Sequence, residues 1–123
     1  MQNKKASADE LIALILQGIE EVKGHEINLL DLREIENTVC DYFIICEGTS
    51  NTQVNAIVNS IQKKVSKEHK DNPWHIEGND NAEWVLMDYV NIVVHVFQKH
   101  IREYYDIESL WGDAKTTQIE TNY

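Results

Sequence analysis

Residues 77–97 read EGNDNAEWVLMDYVNIVVHVF, two apolar runs separated by the four residues 88–91. The runs, 84–87 and 92–97, are rich in β-branched and aromatic residues. Such residues suit a pleated, half-buried surface. A chain with this pair folds it as a β-hairpin, and its other elements must cover what the hairpin leaves open. With Tyr89 and Val90 at the tip, Asp88 is expected opposite Asn91, Leu86 opposite Val93 and Trp84 opposite His95. Side chains alternate along a strand. One face then carries Val85, Met87, Ile92, Val94 and Val96, all apolar. The other carries Trp84, Leu86, Asp88, Val93, His95 and Phe97, a mixed and aromatic set. The first face is expected to be core, the second a surface for a partner.

The remaining elements follow in order. Ser7 and Glu10 have the spacing of a helix-capping box. Leu11, Leu14, Ile15, Ile19 and Val22 then recur at helical spacing, and Gly24 is a natural stop, so a first helix is expected over 8–23. Residues 27–32 read as a strand. Residues 39–46 read as another, so continuously apolar that both of its faces should be covered. Ser50 and Gln53 form a second capping box, and Val54, Ile57, Val58, Ile61 and Val65 make one stripe on the helix that follows. Asp71-Asn72-Pro73 breaks the chain before a short strand over 74–77. After the hairpin, 98–110 is expected to be helical, bearing Ile101, Tyr104, Tyr105 and Leu110. Residues 113–123 read as a polar, poorly ordered tail. The expected fold is α/β, order αββαβββα, with one mixed five-stranded sheet in a domain over 1–112.

Charge narrows the function classes. The formal net charge is −10, with 21 acidic and 11 basic residues. Such a surface repels phosphate and favours a basic protein partner over nucleic acid. Lys63, Lys64, Lys67 and Lys70 gather near one helix end, where the helix dipole favours cations. They read as a solvated terminus rather than a nucleic-acid patch. No stretch has the roughly 20 apolar residues of a membrane span, and no signal-peptide core precedes the first helix. Cys40 and Cys46 lack metal or redox spacing and read as reduced thiols of a cytoplasmic protein.

Catalytic patterns are missing. His25, His69, His75, His95 and His100 show no zinc-ligand spacing, so no metal is expected. Cys46 lies in an apolar strand with nothing to activate a thiolate. Asp88 and His95 are expected well apart along the hairpin. Gly48-Thr49-Ser50 opens a helix, where an anion can bind, and a nucleotidyltransferase sheet begins with a similar turn. Such an enzyme needs paired carboxylates for magnesium, commonly D-x-D, and the chain has no D-x-D. The turn therefore reads as a helix cap.

The strand-turn-helix DYFIICEGTS at 41–50, then Glu77-Gly78, EWVLMD at 83–88, IVVHVF at 92–97 and finally Arg102, Tyr105, Leu110 and Trp111 together resemble the ribosomal silencing factor, or Iojap-like, family. The resemblance covers residues 7–112. The tip Asp88-Tyr89-Val90-Asn91 departs from it where the family often has a glycine. The resemblance implies a nucleotidyltransferase-like core without its catalytic carboxylates, and no cofactor. It implies a translational repressor that binds protein L-fourteen of the large ribosomal subunit and blocks joining to the small subunit when nutrients are scarce. It also suggests a homodimer of the free protein. The residues expected to meet the partner are Trp84, Leu86, Asp88, His95 and Phe97. The alternatives are a large-subunit assembly factor and a degenerate nucleotidyltransferase-like enzyme.

Overall fold

The structure, a computed structural model, describes residues 7–69, 72–73 and 75–123. Its elements are α1 (Ala8–Glu21), β1 (His25–Asp31), β2 (Tyr42–Gly48), α2 (Asn51–His69), β3 (His75–Glu77), β4 (Trp84–Asp88), β5 (Ile92–Gln98), α3 (Lys99–Tyr105), α4 (Ile107–Leu110) and β6 (Lys115–Ile119). Trp74, expected to open the third strand, and Lys70 lie outside the described residues.

Both capping residues act as their spacing predicts. Ser7 Oγ accepts the Glu10 N–H at 3.2 Å, and Ser50 Oγ accepts the Gln53 N–H at 3.1 Å. α1 ends at Glu21, two residues before the expected boundary. Lys23 takes the left-handed conformation there, with φ 57°. The Gly24 N–H reaches back to Ile19 O and the Lys23 N–H to Glu20 O, each at 3.0 Å, which closes the helix in a Schellman turn.

The sheet has six strands, in the order β3-β4-β5-β2-β1-β6. β2 and β5 run parallel at its centre, and the other neighbours are antiparallel. The sixth strand corrects the expected tail. Lys115–Ile119 pairs along β1, with Thr117 opposite Leu29. This strand is mostly exposed and lies at the sheet edge, so its sequence lacks a buried strand's alternation.

Two cores sandwich the sheet. On one face, α1 and the α2 stripe pack against Ile44, Cys46, Val85, Met87, Ile92, Val94 and Val96. This is the hairpin's aliphatic face, as its alternation predicts. On the other face, Leu30, Leu32, Phe43, Ile45, Val93 and Phe97 meet Ile107, with Ile101 and Trp111 packed alongside. β2 is buried at all seven residues, in line with its unbroken apolar run.

The hairpin register differs from the expected one. Asp88 pairs with Val93, Leu86 with His95 and Trp84 with Phe97. The physical cause is the turn. The Tyr89 N–H donates to Ile92 O at 2.8 Å, and the Asn91 N–H donates to Tyr89 O at 3.0 Å around Val90, whose φ is 75°. The turn is therefore centred further along the chain than Tyr89-Val90. Each strand-β4 residue meets a partner two positions later than expected. A slip of two residues leaves every side chain on its face.

The helix expected over 98–110 is broken at Asp106, which adopts φ 43° and ψ 53°. Ser109 Oγ donates to Asp106 Oδ2 at 2.6 Å and secures the break. The change of direction turns Ile107 into the core and leaves Leu110 outside.

Candidate partner-binding face

The face under α3 and α4 is only partly roofed. Phe97 is fully buried and His95 is 5% exposed, whereas Trp84, Leu86 and Asp88 are half-buried. Of the five residues expected to meet a partner, three are thus accessible and two lie beneath them. Trp84 is the joint between the two layers. Its ring stacks on Phe97 at a centroid distance of 4.9 Å and tilts against Tyr105 at 5.1 Å. Its Nε1–H donates to His95 Nδ1 at 3.1 Å. His95 and Phe97 therefore act as the base on which Trp84 is set.

That hydrogen bond fixes the His95 tautomer: Nδ1 accepts, so the proton is on Nε2. Nε2 is buried without a hydrogen-bond partner among the described residues, and the ring stands edge-on to Phe43 at 4.6 Å. Burial pushes the imidazole down to about 4 from its ordinary 6.5. The unfolded chain therefore takes up a proton that the folded chain refuses. The His95 contribution to stability is full above pH 6.5 and is lost as pH falls toward 4, a change of about 3 kcal/mol for a shift of this size. Urea midpoints measured across that window should fall for the wild type. The fall should be much shallower for His95→Asn, whose Oδ1 takes the place of Nδ1 as the acceptor for Trp84 and which has no proton to gain.

Arg102 holds the roof in place. It is 8% exposed. Nε and Nη2 donate to the two carboxylate oxygens of Glu108 at 2.9 and 3.0 Å. Nη1 donates to Glu26 O at 2.6 Å and to Glu47 Oε1 at 3.1 Å. Asn28 Nδ2 donates to Glu108 Oε2 at 2.6 Å. The main-chain acceptor is available because β1 is irregular near its start and Glu26 adopts φ 50°. Burial alone raises the Glu108 carboxyl, but the hydrogen bonds from Arg102 and Asn28 outweigh it and hold the group below its ordinary value. One guanidinium thus ties α3 and α4 to β1 and β2. Its partners lie up to 76 positions away, so the sequence carries no local sign of the cluster.

The same two helices display residues whose sequence predicts a helix but no site. Tyr104 is 80% exposed, Tyr105 51% and Leu110 78%. Tyr105 packs on Trp84 and Tyr104 on Tyr105, at centroid distances of 5.1 and 5.0 Å, so the two tyrosines extend the surface of Trp84 on an acidic protein. The signal was present in the sequence, since two aromatic residues and a leucine stand on a short helical stretch. The break at Asp106 decides the facing of the leucine, which lies beyond it on α4.

The other candidate chemistry is occupied by the chain itself. The Thr49 N–H donates to Gln53 Oε1 at 2.7 Å, and the Val54 N–H to Ser50 O at 3.0 Å, so donors at the start of α2 are capped internally. Glu47 lies just before this turn and is paired with Arg102. Asp88 and His95 share a face, but Asp88 Oδ1 accepts the Val90 N–H at 2.7 Å and His95 Nδ1 accepts from Trp84. Burial pushes the Cys46 thiol up to about 12 and the Cys40 thiol up to about 11, the reverse of thiolate activation. Lys64 is paired with Glu21. Among the described residues no group of three or more His, Cys, Asp or Glu side chains is placed to hold a metal ion, and no helix is long and apolar enough to cross a membrane.

These features define an α/β protein built on one mixed sheet, with an aromatic face half-covered by two short helices. The model of the family described as "ribosomal silencing factor during starvation" matches residues 5–122, and the chain belongs to this family. It is 40% identical over 114 residues to the ribosomal silencing factor RsfS of Halalkalibacterium halodurans, covering 93% of this chain and 96% of that protein. A crystal structure of a Chromobacterium violaceum protein superposes with a TM-score of 0.81 at 36% identity, covering 94% of this chain and 95% of that one. The mouse mitochondrial assembly of ribosomal large subunit protein 1 is 37% identical over 73 residues, which are 58% of this chain and 32% of that protein.

Proposed function

We propose that this protein represses translation by binding protein L-fourteen of the large ribosomal subunit, on the surface that meets the small subunit. Bound there, it keeps the two subunits apart by occupying space, and it does so when nutrients are limiting. The observation that carries this reading is the aromatic face of Trp84, Leu86, Tyr104 and Tyr105 on a family member of net charge −10. Exposed aromatic anchors on an acidic chain suit a basic protein surface. The activity is one of binding, with no catalysis and no cofactor, and it takes place in the cytoplasm. Support for a non-enzymatic role comes from the self-capped turn at Thr49 and Ser50, and from a sequence that has no D-x-D pair.

Assembly of the large subunit is the second reading, favoured by the name of the mouse relative. The two are separated by using mature subunits, on which only a silencing factor acts. Direct titration of the purified chain against isolated L-fourteen tests the first step. Saturable binding weakened by salt is expected, and no binding to either L-fourteen or whole large subunits overturns the reading.

The free protein is proposed to pair as a homodimer that covers the same aromatic face. Sedimentation at hundreds of micromolar should show the dimer, and L-fourteen should dissociate it. A monomer at every concentration contradicts this.

A further inference from the structure

Val90 is a β-branched residue at φ 75°. Side chains branched at Cβ rarely adopt this region, and holding one there costs folding free energy. Three hydrogen bonds enforce it: Tyr89 N–H to Ile92 O, Asn91 N–H to Tyr89 O, and Val90 N–H to Asp88 Oδ1. The strained side chain is not buried in return, since Val90 is 60% exposed.

A second apolar side chain stands in an adjacent loop. The Asp41 and Tyr42 N–H groups both donate to Asn91 O, at 2.9 and 3.1 Å, which binds the segment before β2 to the hairpin tip. Val39 in that segment is 83% exposed. The flanking carboxylates are Asp41 and Asp88, both close enough to act on the intervening Cys40 thiol. Trp84, Leu86 and Asp88 alternate along one face of β4 toward Val90, so the tip continues the stripe that begins at the aromatic residues.

We propose that this tip is the far end of the docking surface, where Val90 and Val39 enter an apolar recess of the basic ribosomal protein while Asp41 and Asp88 meet its cationic rim. The inference rests on the function proposed above and extends the contact from the aromatic end of β4 to its turn. The occupant is a basic protein for two reasons. Nucleic acid would bring phosphates against the carboxylates. A second copy meeting tip to tip would bring the same carboxylates against each other.

The test uses the full chain with Val90→Gly, Val90→Asn and Val39→Ser, with Trp84→Ala for comparison, titrated against purified large ribosomal subunits and against isolated L-fourteen. Gly and Asn tolerate positive φ, so both Val90 variants should melt a few degrees above the wild type. The same variants should bind about tenfold more weakly. Val39→Ser should bind more weakly with little change in melting. Opposite signs for stability and affinity are what a purely structural turn residue would not give. Wild-type affinity in Val90→Gly, or a lower melting temperature, overturns the proposal. If Trp84→Ala loses binding while the valine variants keep it, the tip is not in the contact and the function stands. If the wild type binds neither probe, both fall.

Discussion

Arg102→Ala is expected to cost about 3–5 kcal/mol of folding stability, the usual range when one partner of a buried ion pair is removed. The cost arises because the substitution strands Glu47, which is 9% exposed, and Glu108, and leaves the Glu26 carbonyl without its donor. For a domain stable by roughly 5–15 kcal/mol this is a large share. Arg102→Lys should recover only part, because an ammonium cannot reproduce the paired donation to both Glu108 oxygens. Arg102→Met combined with Glu47→Gln and Glu108→Gln should lie above Arg102→Ala, since no charge is left buried alone. Denaturant midpoints at constant slope give the comparison. A loss below about 1 kcal/mol would place the cluster among ordinary surface pairs.

Trp84→Ala is expected to weaken binding to L-fourteen by about 2–4 kcal/mol, roughly 30- to 1000-fold. The same change removes the stacking on Phe97, the contact with Tyr105 and the bond to His95. Its half-buried position places the stability loss at about 1–3 kcal/mol, below the full cost of a core tryptophan. Trp84→Phe should separate the two effects, keeping most of the packing while removing the indole N–H. Asp88→Lys should mainly slow association and flatten its salt dependence. Trp84→Ala that folds and binds normally would remove this residue from the contact.

Much of the fold follows from local chemistry that the sequence displays openly. Ser7, Ser50 and the stripe from Val54 to Val65 are short-range signals, and each acts at its expected place. The assignment of faces on β4 and β5 also holds, although the expected register was displaced, because an even slip preserves alternation. The displacement comes from Val90, whose positive φ is disfavoured for a β-branched residue and is imposed by its hydrogen bonds. β6 was hidden for a different reason. Its five residues hold a single aliphatic side chain, and it is a strand because β1 offers an open edge.

The site was legible in part. Trp84, Leu86 and Asp88 face outward as the alternation implies, while His95 and Phe97 are sealed below them. Period-two patterning shows which face a residue takes but not what later elements cover. That cover depends on Arg102 finding Glu108 six positions on, and Glu47 and Glu26 far earlier in the chain. The exposed Leu110 depends in turn on the left-handed Asp106, a position with no glycine to announce it.

The central claim is that the aromatic face keeps ribosomal subunits apart. Purified, mature small and large subunits should be mixed with the wild-type chain or Trp84→Ala and resolved on sucrose gradients. The wild type should deplete joined ribosomes, co-migrate with the large subunit and lose its effect in the variant. Undiminished joining at saturating wild-type protein, or equal inhibition by a folded Trp84→Ala, would contradict the account.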